Sequence, residues 1–242
     1  MKPYYQDEFC TIYHGDALAL LPDTTFLKDN SIDCIVTDPP YWTLDKWRNV
    51  GTTTRLGGNS DPDKQSGWFN TISQEQLWDV MRELFRVLKP DCHAYIMSDG
   101  QALRAILGYS EEAGFSNYKP IVWDKVNQGM GYHYRCRHEF FVMLDKGKNR
   151  KLNSLSTPDV WTVPMIRGGY PTEKPVKLMQ VPIEHSTSEG ETILDPFMGG
   201  GSALIAARRL GRKAIGIDSS LDACELARRR VLEEKNSLAF FK

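Results

Sequence analysis

Two consecutive prolines set the strongest constraint on this chain. In the run Ser31-Ile32-Asp33-Cys34-Ile35-Val36-Thr37-Asp38-Pro39-Pro40-Tyr41-Trp42, the residues Ile32, Cys34, Ile35 and Val36 suit a buried strand. Pro39 and Pro40 forbid its continuation, because neither ring nitrogen can donate to a ladder. The strand must stop at Asp38. That leaves a carboxylate at the carboxyl end of a strand, followed by a stiff turn and two aromatic rings. Open α/β sheets place their ligands in the crevice outside such strand ends, so this stretch is the expected active centre.

The rest of the chain supplies a matching frame. Ser73-Gln74-Glu75-Gln76 has the spacing of a capping box, and Leu77, Val80, Met81, Leu84, Phe85 and Leu88 form one apolar face closed by Pro90. Strands are expected at 11–16, 93–98, 119–123, 191–195 and 213–217. Helices are expected at 101–113, closed by Gly114, and at 202–210, closed by Gly211, with a helical turn at 17–21. His138 to Leu144 reads as a further strand, antiparallel at the sheet edge. Alternating strands and helices predict a mostly parallel sheet with helices on both faces. At 242 residues, one domain over 1–242 is expected. It carries two excursions, a loop over 43–70 without sustained periodicity and a segment over 125–171.

Composition excludes several classes. Hydrophobic residues make up 41% and charged residues 25%, which rules out disordered and fibrous chains. No stretch approaches eighteen apolar residues, and the first eight residues lack the apolar run of a signal peptide. A cytoplasmic protein without membrane attachment is expected. The five cysteines include no Cys-x-x-Cys pair and read as reduced thiols. His133, Cys136 and His138 lie close together, but no second cluster completes a tetrahedral site, so no metal is expected.

Net charge is −1, so any affinity for nucleic acid must be local. From Lys125 to Lys177 there are ten basic residues against four acidic ones, interleaved with Tyr132, Tyr134, Trp161 and Tyr170. Such a mixture suits phosphate contacts and base stacking. Arg135, Arg137, Lys146, Lys148, Arg150 and Lys151 are the residues expected to bind nucleic acid.

A second constellation runs Glu191-Thr192-Ile193-Leu194-Asp195-Pro196-Phe197-Met198-Gly199-Gly200-Gly201-Ser202. Here a strand ends in an acid and then in three glycines, which let a ligand approach the backbone ahead of a helix N-terminus. The strand after that helix ends at Asp218, placed to accept hydrogen bonds from ribose hydroxyls. The third glycine of a dinucleotide loop is replaced by Leu204, and no Gly-Lys-Ser/Thr of a Walker loop follows. S-adenosylmethionine fits better than a dinucleotide, its carboxylate at the loop and its ribose on Asp218.

Taken together, these motifs resemble the amino-type DNA methyltransferases. Asp38-Pro39-Pro40-Tyr41 matches that family's catalytic tetrapeptide, and Asp195-Pro196-Phe197-x-Gly199-x-Gly201 its cofactor loop. Thr172-x-Lys174-Pro175-Val176 resembles a third signature, while Val87-Leu88-Lys89-Pro90, Trp123-x-Lys125 and His138-Glu139 fall where the family has similar runs. The tetrapeptide precedes the cofactor loop, the permuted order of the beta group. Three departures stand out: Gly200 replaces the usual Ser, Ser202 the usual Thr, and Thr172 follows Pro171 without the more usual His-Pro order.

The resemblance implies a Rossmann-like methyltransferase fold with permuted motif order, of the kind found in restriction–modification. It implies an enzyme that moves a methyl group from S-adenosylmethionine to the exocyclic amine of adenine in double-stranded DNA, by base flipping, as a monomer or homodimer. Asp38, Pro39, Pro40 and Tyr41 are then catalytic, with Tyr41 stacking on the extruded base. Asp16, Lys174, Asp195, Phe197, Met198, Gly199, Gly200, Gly201, Ser202 and Asp218 bind the cofactor, although Asp16 could equally cap a helix. The 125–171 excursion becomes the target-recognition segment. Cytosine-N4 methylation, and a DNA-binding protein that keeps the cofactor pocket without turnover, are the alternatives.

Overall fold

The computed structural model describes residues 1–44, 71–129, 133–166 and 173–239. Most of the 43–70 loop therefore lies outside the described residues, as do Tyr132, Arg167, Tyr170 and Thr172 within or beside the second excursion. Nine strands form one sheet among the described residues. They are β1 (Tyr5–Gln6), β2 (Cys10–His14), β3 (Ile32–Thr37), β4 (Leu88–Ser98), β5 (Asn117–Asp124), β6 (His138–Lys146), β7 (Val160–Thr162), β8 (Thr192–Asp195) and β9 (Lys213–Asp218). Their order across the sheet is β1-β2-β9-β8-β3-β4-β6-β5-β7. From β2 through β4 every neighbouring pair is parallel.

β3 sits near the middle and is buried along its whole length. From Cys34 onward its side chains alternate between two cores, as the period of two in a strand requires. Cys34 and Val36 face the helices Val176–Ser186, Ser202–Arg209 and Leu221–Ala239. Ile35 faces Gln74–Val87 and Leu103–Ala113, and Ile32 joins the same core because the strand register shifts between Ile32 and Cys34. The Gln74–Val87 helix begins with the expected capping box: Gln76 N–H donates to Ser73 Oγ at 3.2 Å, and Ser73 N–H to the Gln76 side chain at 2.8 Å. Leu77, Val80, Met81 and Leu84 are buried on its inner face, each contributing about 1.5–3 kcal/mol of apolar burial. Gly114 ends the next helix at φ 105°, where glycine has no steric cost.

Two expectations are corrected. The helix stops at Val87, and Lys89 and Pro90 belong to β4 rather than closing the helix. Pro90 is tolerated there because the β3–β4 register shifts between Ile32 and Cys34, so the ladder is irregular where its missing N–H falls. β6 is antiparallel as expected but not at the edge, since β4 and β5 flank it. The edge is β7, three residues long and too short to signal itself in sequence. No helix among the described residues is long and apolar enough to cross a membrane.

Candidate functional site

The parallel pairing brings the acids that end β2, β9, β8, β3 and β4 to one edge of the sheet. His14 pairs with Asp218, Asp195 with Gly216, and Thr37 with Ile96, so Asp16, Asp218, Asp195, Asp38 and Asp99 follow in a row. Sequence reasoning found four of these. Asp99 went unnoticed because Ser98-Asp99-Gly100 reads as an ordinary turn; its Oδ1 accepts from the backbone of Gln101 and Ala102, and its Oδ2 from Thr43 at 2.7 Å.

Asp38 stands at the centre. Its Oδ2 forms an ion pair with the Lys174 ammonium, and its Oδ1 accepts from the Tyr41 hydroxyl at 2.7 Å. Burial alone would lower the Lys174 pKa. Asp38, Glu139 and Asp195 more than offset that and hold it above the ordinary lysine value. Lys174 therefore lies on the tetrapeptide, although sequence reasoning placed it with the cofactor. Pro39 is buried, and the Pro40 carbonyl accepts from Ile72 N–H at 2.8 Å, which fixes the turn. The Tyr41 ring is only 5% exposed and packs in the same core as Ile72. A stacking role requires one ring face to open.

Asp195 lies beside β3. Its carboxyl is pushed up to about 7, first by burial, while donation from Thr37 and Phe197 N–H opposes the rise and nearby Asp38 and Asp218 add to it. Thr37 Oγ1 reaches it at 2.7 Å across the β3–β8 pair. A buried carboxyl of this kind suits a cationic group, because a positive charge restores its ionised form.

The glycine loop follows. Gly199 and Gly201 have φ of 49° and 75°, and a Cβ on Gly201 would lie 2.9 Å from the Ala227 side chain. Only glycine lets the chain turn into the Ser202–Arg209 helix so close to its neighbour. Asp218 Oδ2 accepts from Gly199 N–H at 2.9 Å and Oδ1 from Ser220 N–H at 2.8 Å, tying β9 to the loop. Burial raises the Asp218 pKa against these two donors.

Phe197 is partly buried and Ser202 buried at the loop, while the Met198 side chain enters the core beneath Gly216. Burial of that side chain leaves the Met198 backbone as the part of the residue at the loop. Asp16 caps the short helix Ala17–Leu20, accepting from Leu18 N–H at 2.9 Å.

The residues expected on nucleic acid divide between the two edges of the sheet. Arg135 and Arg137 lie between β5 and β6, on the Asp38 edge; Arg137 makes a two-pronged pair with Asp124, and Arg135 donates to the Gly129 carbonyl. Lys146 is the last residue of β6, eight residues on from His138 and roughly 26 Å away at 3.3 Å per residue, and Lys148, Arg150 and Lys151 follow it at that other edge. There Lys146 and Arg150 are engaged within the fold. Lys146 donates to the carbonyls of Phe85 and Leu88 at 2.6 and 2.7 Å, and Arg150 pairs with Glu191 at 2.5 Å. Lys148 and Lys151 are exposed, but on the edge opposite Asp38.

Glu173 and Arg230 escaped sequence reasoning altogether. Arg230 pairs with Glu173 at 2.6 Å and donates to the Gly200 carbonyl. In sequence it is the last of three arginines on a helix, a pattern that reads as a solvated face.

A parallel sheet with a glycine loop, and an acid at the end of the strand that follows the loop's helix, defines the Rossmann-like class of nucleoside-ligand proteins. Within that class, the chain belongs to the N6/N4 DNA methylase family, whose model matches residues 32–229 and so spans both acidic turns. It is 31% identical to the type II methyltransferase M2.DpnII of Streptococcus pneumoniae, covering 97% of this chain and 94% of that protein. It is 30% identical to the type II methyltransferase M2.LlaDCHI of Lactococcus lactis subsp. cremoris, covering 95% and 92%. Among solved structures, a putative DNA modification methylase from Thermus thermophilus, complexed with S-adenosyl-L-methionine, shares the fold with a TM-score of 0.68 at 24% identity, covering 92% of this chain and 93% of that one.

Proposed function

We propose that this DNA methyltransferase moves the methyl group of S-adenosylmethionine to the exocyclic N6 of adenine, in double-stranded DNA, after the base has left the stack. The observation that carries this reading is Asp38, held by Lys174 and Tyr41 at the end of β3, one strand from the glycine loop that ends β8. S-adenosylmethionine supplies an electrophilic methyl group on a cationic sulfur. The residues present fit it: Asp218 offers carboxylate oxygens to ribose hydroxyls, the loop approaches closely through Gly199 and Gly201, and buried Asp195 favours a neighbouring positive charge.

The amine on a base ring is a poor nucleophile because its lone pair is delocalised into the ring. Asp38 and the Pro39 carbonyl accept hydrogen bonds from that amine, draw it toward tetrahedral geometry and aim the lone pair at the methyl group. Such catalysis is positioning and electrostatics, with no covalent enzyme intermediate. An aspartate in the first position of the tetrapeptide favours adenine over cytosine. A base inside a duplex is out of reach, so the nucleotide must be extruded. Tyr134, 94% exposed, and Arg135 stand on the Asp38 edge as contacts for the displaced duplex.

The test is nucleoside mass spectrometry of duplex DNA incubated with protein and S-adenosylmethionine. N6-methyladenine is expected, and Asp38→Ala should abolish it in a protein that still folds, with a lower melting temperature because Lys174 loses its ion-pair partner. Finding only N4-methylcytosine would overturn the base assignment. No methylated nucleoside with wild-type protein, despite measurable cofactor binding, would favour the binding-protein alternative.

A further inference from the structure

We propose that Arg230 is a positioning residue that ties the cofactor loop to the Lys174–Asp38 pair through Glu173. The inference rests on the methyl-transfer reading of the site. Arg230 comes from the Leu221–Ala239 helix, and its side chain is 17% exposed while that of Glu173 is 13% exposed. One nitrogen of the guanidinium meets Glu173 Oε1 at 2.6 Å; the other donates to the Gly200 carbonyl and lies 3.5 Å from Ser202 Oγ. The planar fork holds both partners in fixed relation, which a lysine on the same stem could not do.

Glu173 immediately precedes Lys174, and Lys174 precedes Pro175, whose ring biases the residue before it toward extended backbone. In extended chain, successive side chains point to opposite sides. The dipeptide can therefore face Arg230 with its acid and Asp38 with its ammonium. A shift of the Gly200 carbonyl as cofactor seats is passed by the same guanidinium to Glu173, and one residue further to the cation on Asp38. Burying an ion pair is seldom the most stabilising choice at a given position. Its placement between loop and tetrapeptide gives it a coupling role.

The experiment uses full-length protein with Arg230→Gln, Glu173→Gln, the double variant and Arg230→Lys. Three quantities are read: S-adenosylmethionine affinity by calorimetry, the labelling rate of Lys174 by acetic anhydride with mass spectrometry, and the single-turnover methyl-transfer rate. Melting temperature reports folding. Each Gln variant should weaken cofactor binding about tenfold, speed Lys174 labelling at least threefold and slow transfer about tenfold. The double variant should be no worse than either single one, the signature of residues acting as one unit.

Arg230→Lys keeps a positive charge for Glu173 and should stay folded, while restoring neither the transfer rate nor the slow labelling. Labelling, affinity and transfer all within about twofold of wild type would overturn the inference, as would independent, multiplicative losses in the double variant. Failure of the wild type to methylate any duplex would sink the parent reading instead. The labelling arm, which needs neither cofactor nor DNA, would still decide whether Arg230 holds Lys174 in place.

Discussion

Tyr41 donates a 2.7 Å hydrogen bond to Asp38 Oδ1 while Lys174 holds Oδ2. Both oxygens of the proposed catalytic carboxylate are thus engaged before any substrate arrives, and a target amine must share or displace the phenol. Tyr41→Phe keeps the ring and deletes the donor, whereas Tyr41→Ala deletes both. A hydrogen bond to a charged acceptor contributes about 1.5–3 kcal/mol, part of which is regained when Oδ1 is freed for the amine. Base–aromatic stacking contributes about 1–3 kcal/mol more. Single-turnover transfer should therefore fall about tenfold in Tyr41→Phe and by roughly 10²–10³ in Tyr41→Ala. Equal losses would show that the hydroxyl alone matters and that the ring does not stack.

Asp195 sets a pH dependence whose sign can be worked out. Its folded-state pKa, about 7, lies above the ordinary value of 3.8, so between those limits the folded chain holds a proton that the unfolded chain has lost. Stability of the cofactor-free protein then falls as pH rises from about 4 to about 7 and is level above. Urea denaturation at pH 5 and pH 8 should show this loss in wild type, and Asp195→Asn should be markedly flatter. Affinity for a cationic cofactor runs the opposite way, tightening with pH up to about 7. A wild-type stability difference that survives unchanged in Asp195→Asn would assign it to other groups.

Lys146 is engaged by the fold, which predicts a stabilising part for it rather than a phosphate contact. Its ammonium closes the C-terminal end of the Gln74–Val87 helix on the Phe85 and Leu88 carbonyls, and it also meets Asn30 Oδ1 at 2.8 Å and the Phe85 ring at 4.5 Å. Cations are favoured where a helix leaves its carbonyls unpaired. Lys146→Met should cost about 1–3 kcal/mol in chemical denaturation and leave the slope of DNA affinity against log salt unchanged. A slope flattened by about 0.9, the contribution of one phosphate contact, would return Lys146 to the DNA interface.

The place of Lys146 in the fold shows where the sequence was legible and where it was not. Asp38 and Asp195 were readable because prolines force their strands to end, and the glycine loop because consecutive glycines have few other uses. The capping box at Ser73 was equally plain, since its donors and acceptors are four residues of one segment. The basic run 146–151 misled because a local cluster carries no sign of which sheet edge it occupies. Only the antiparallel register of β6 against β4, Lys146 opposite Cys92 and Ser98 opposite Phe140, sends it away from Asp38. Glu173 and Arg230 are far apart in sequence, and their meeting depends on how the C-terminal helix packs behind the loop. No local pattern announces such a pair.

Asp218 has two duties that one substitution cannot separate. It accepts backbone N–H groups from Gly199 and Ser220, and it is the proposed acceptor for ribose hydroxyls. Asp218→Ala removes both duties and leaves two backbone donors to find water, so a weaker cofactor complex could reflect a distorted loop. Asp218→Asn keeps a carbonyl oxygen for one backbone donor but gives up the negative charge and one acceptor. If ribose recognition depends on charge-assisted hydrogen bonds, Asn should weaken S-adenosylmethionine binding by roughly 1.5–3 kcal/mol, with a melting temperature near that of wild type. Ala should weaken it at least as much and lower the melting temperature too. Calorimetry on both variants, beside thermal melts, separates the two duties. Unchanged affinity in Asn with a loss confined to Ala would make Asp218 a loop anchor and remove it from the cofactor's ribose.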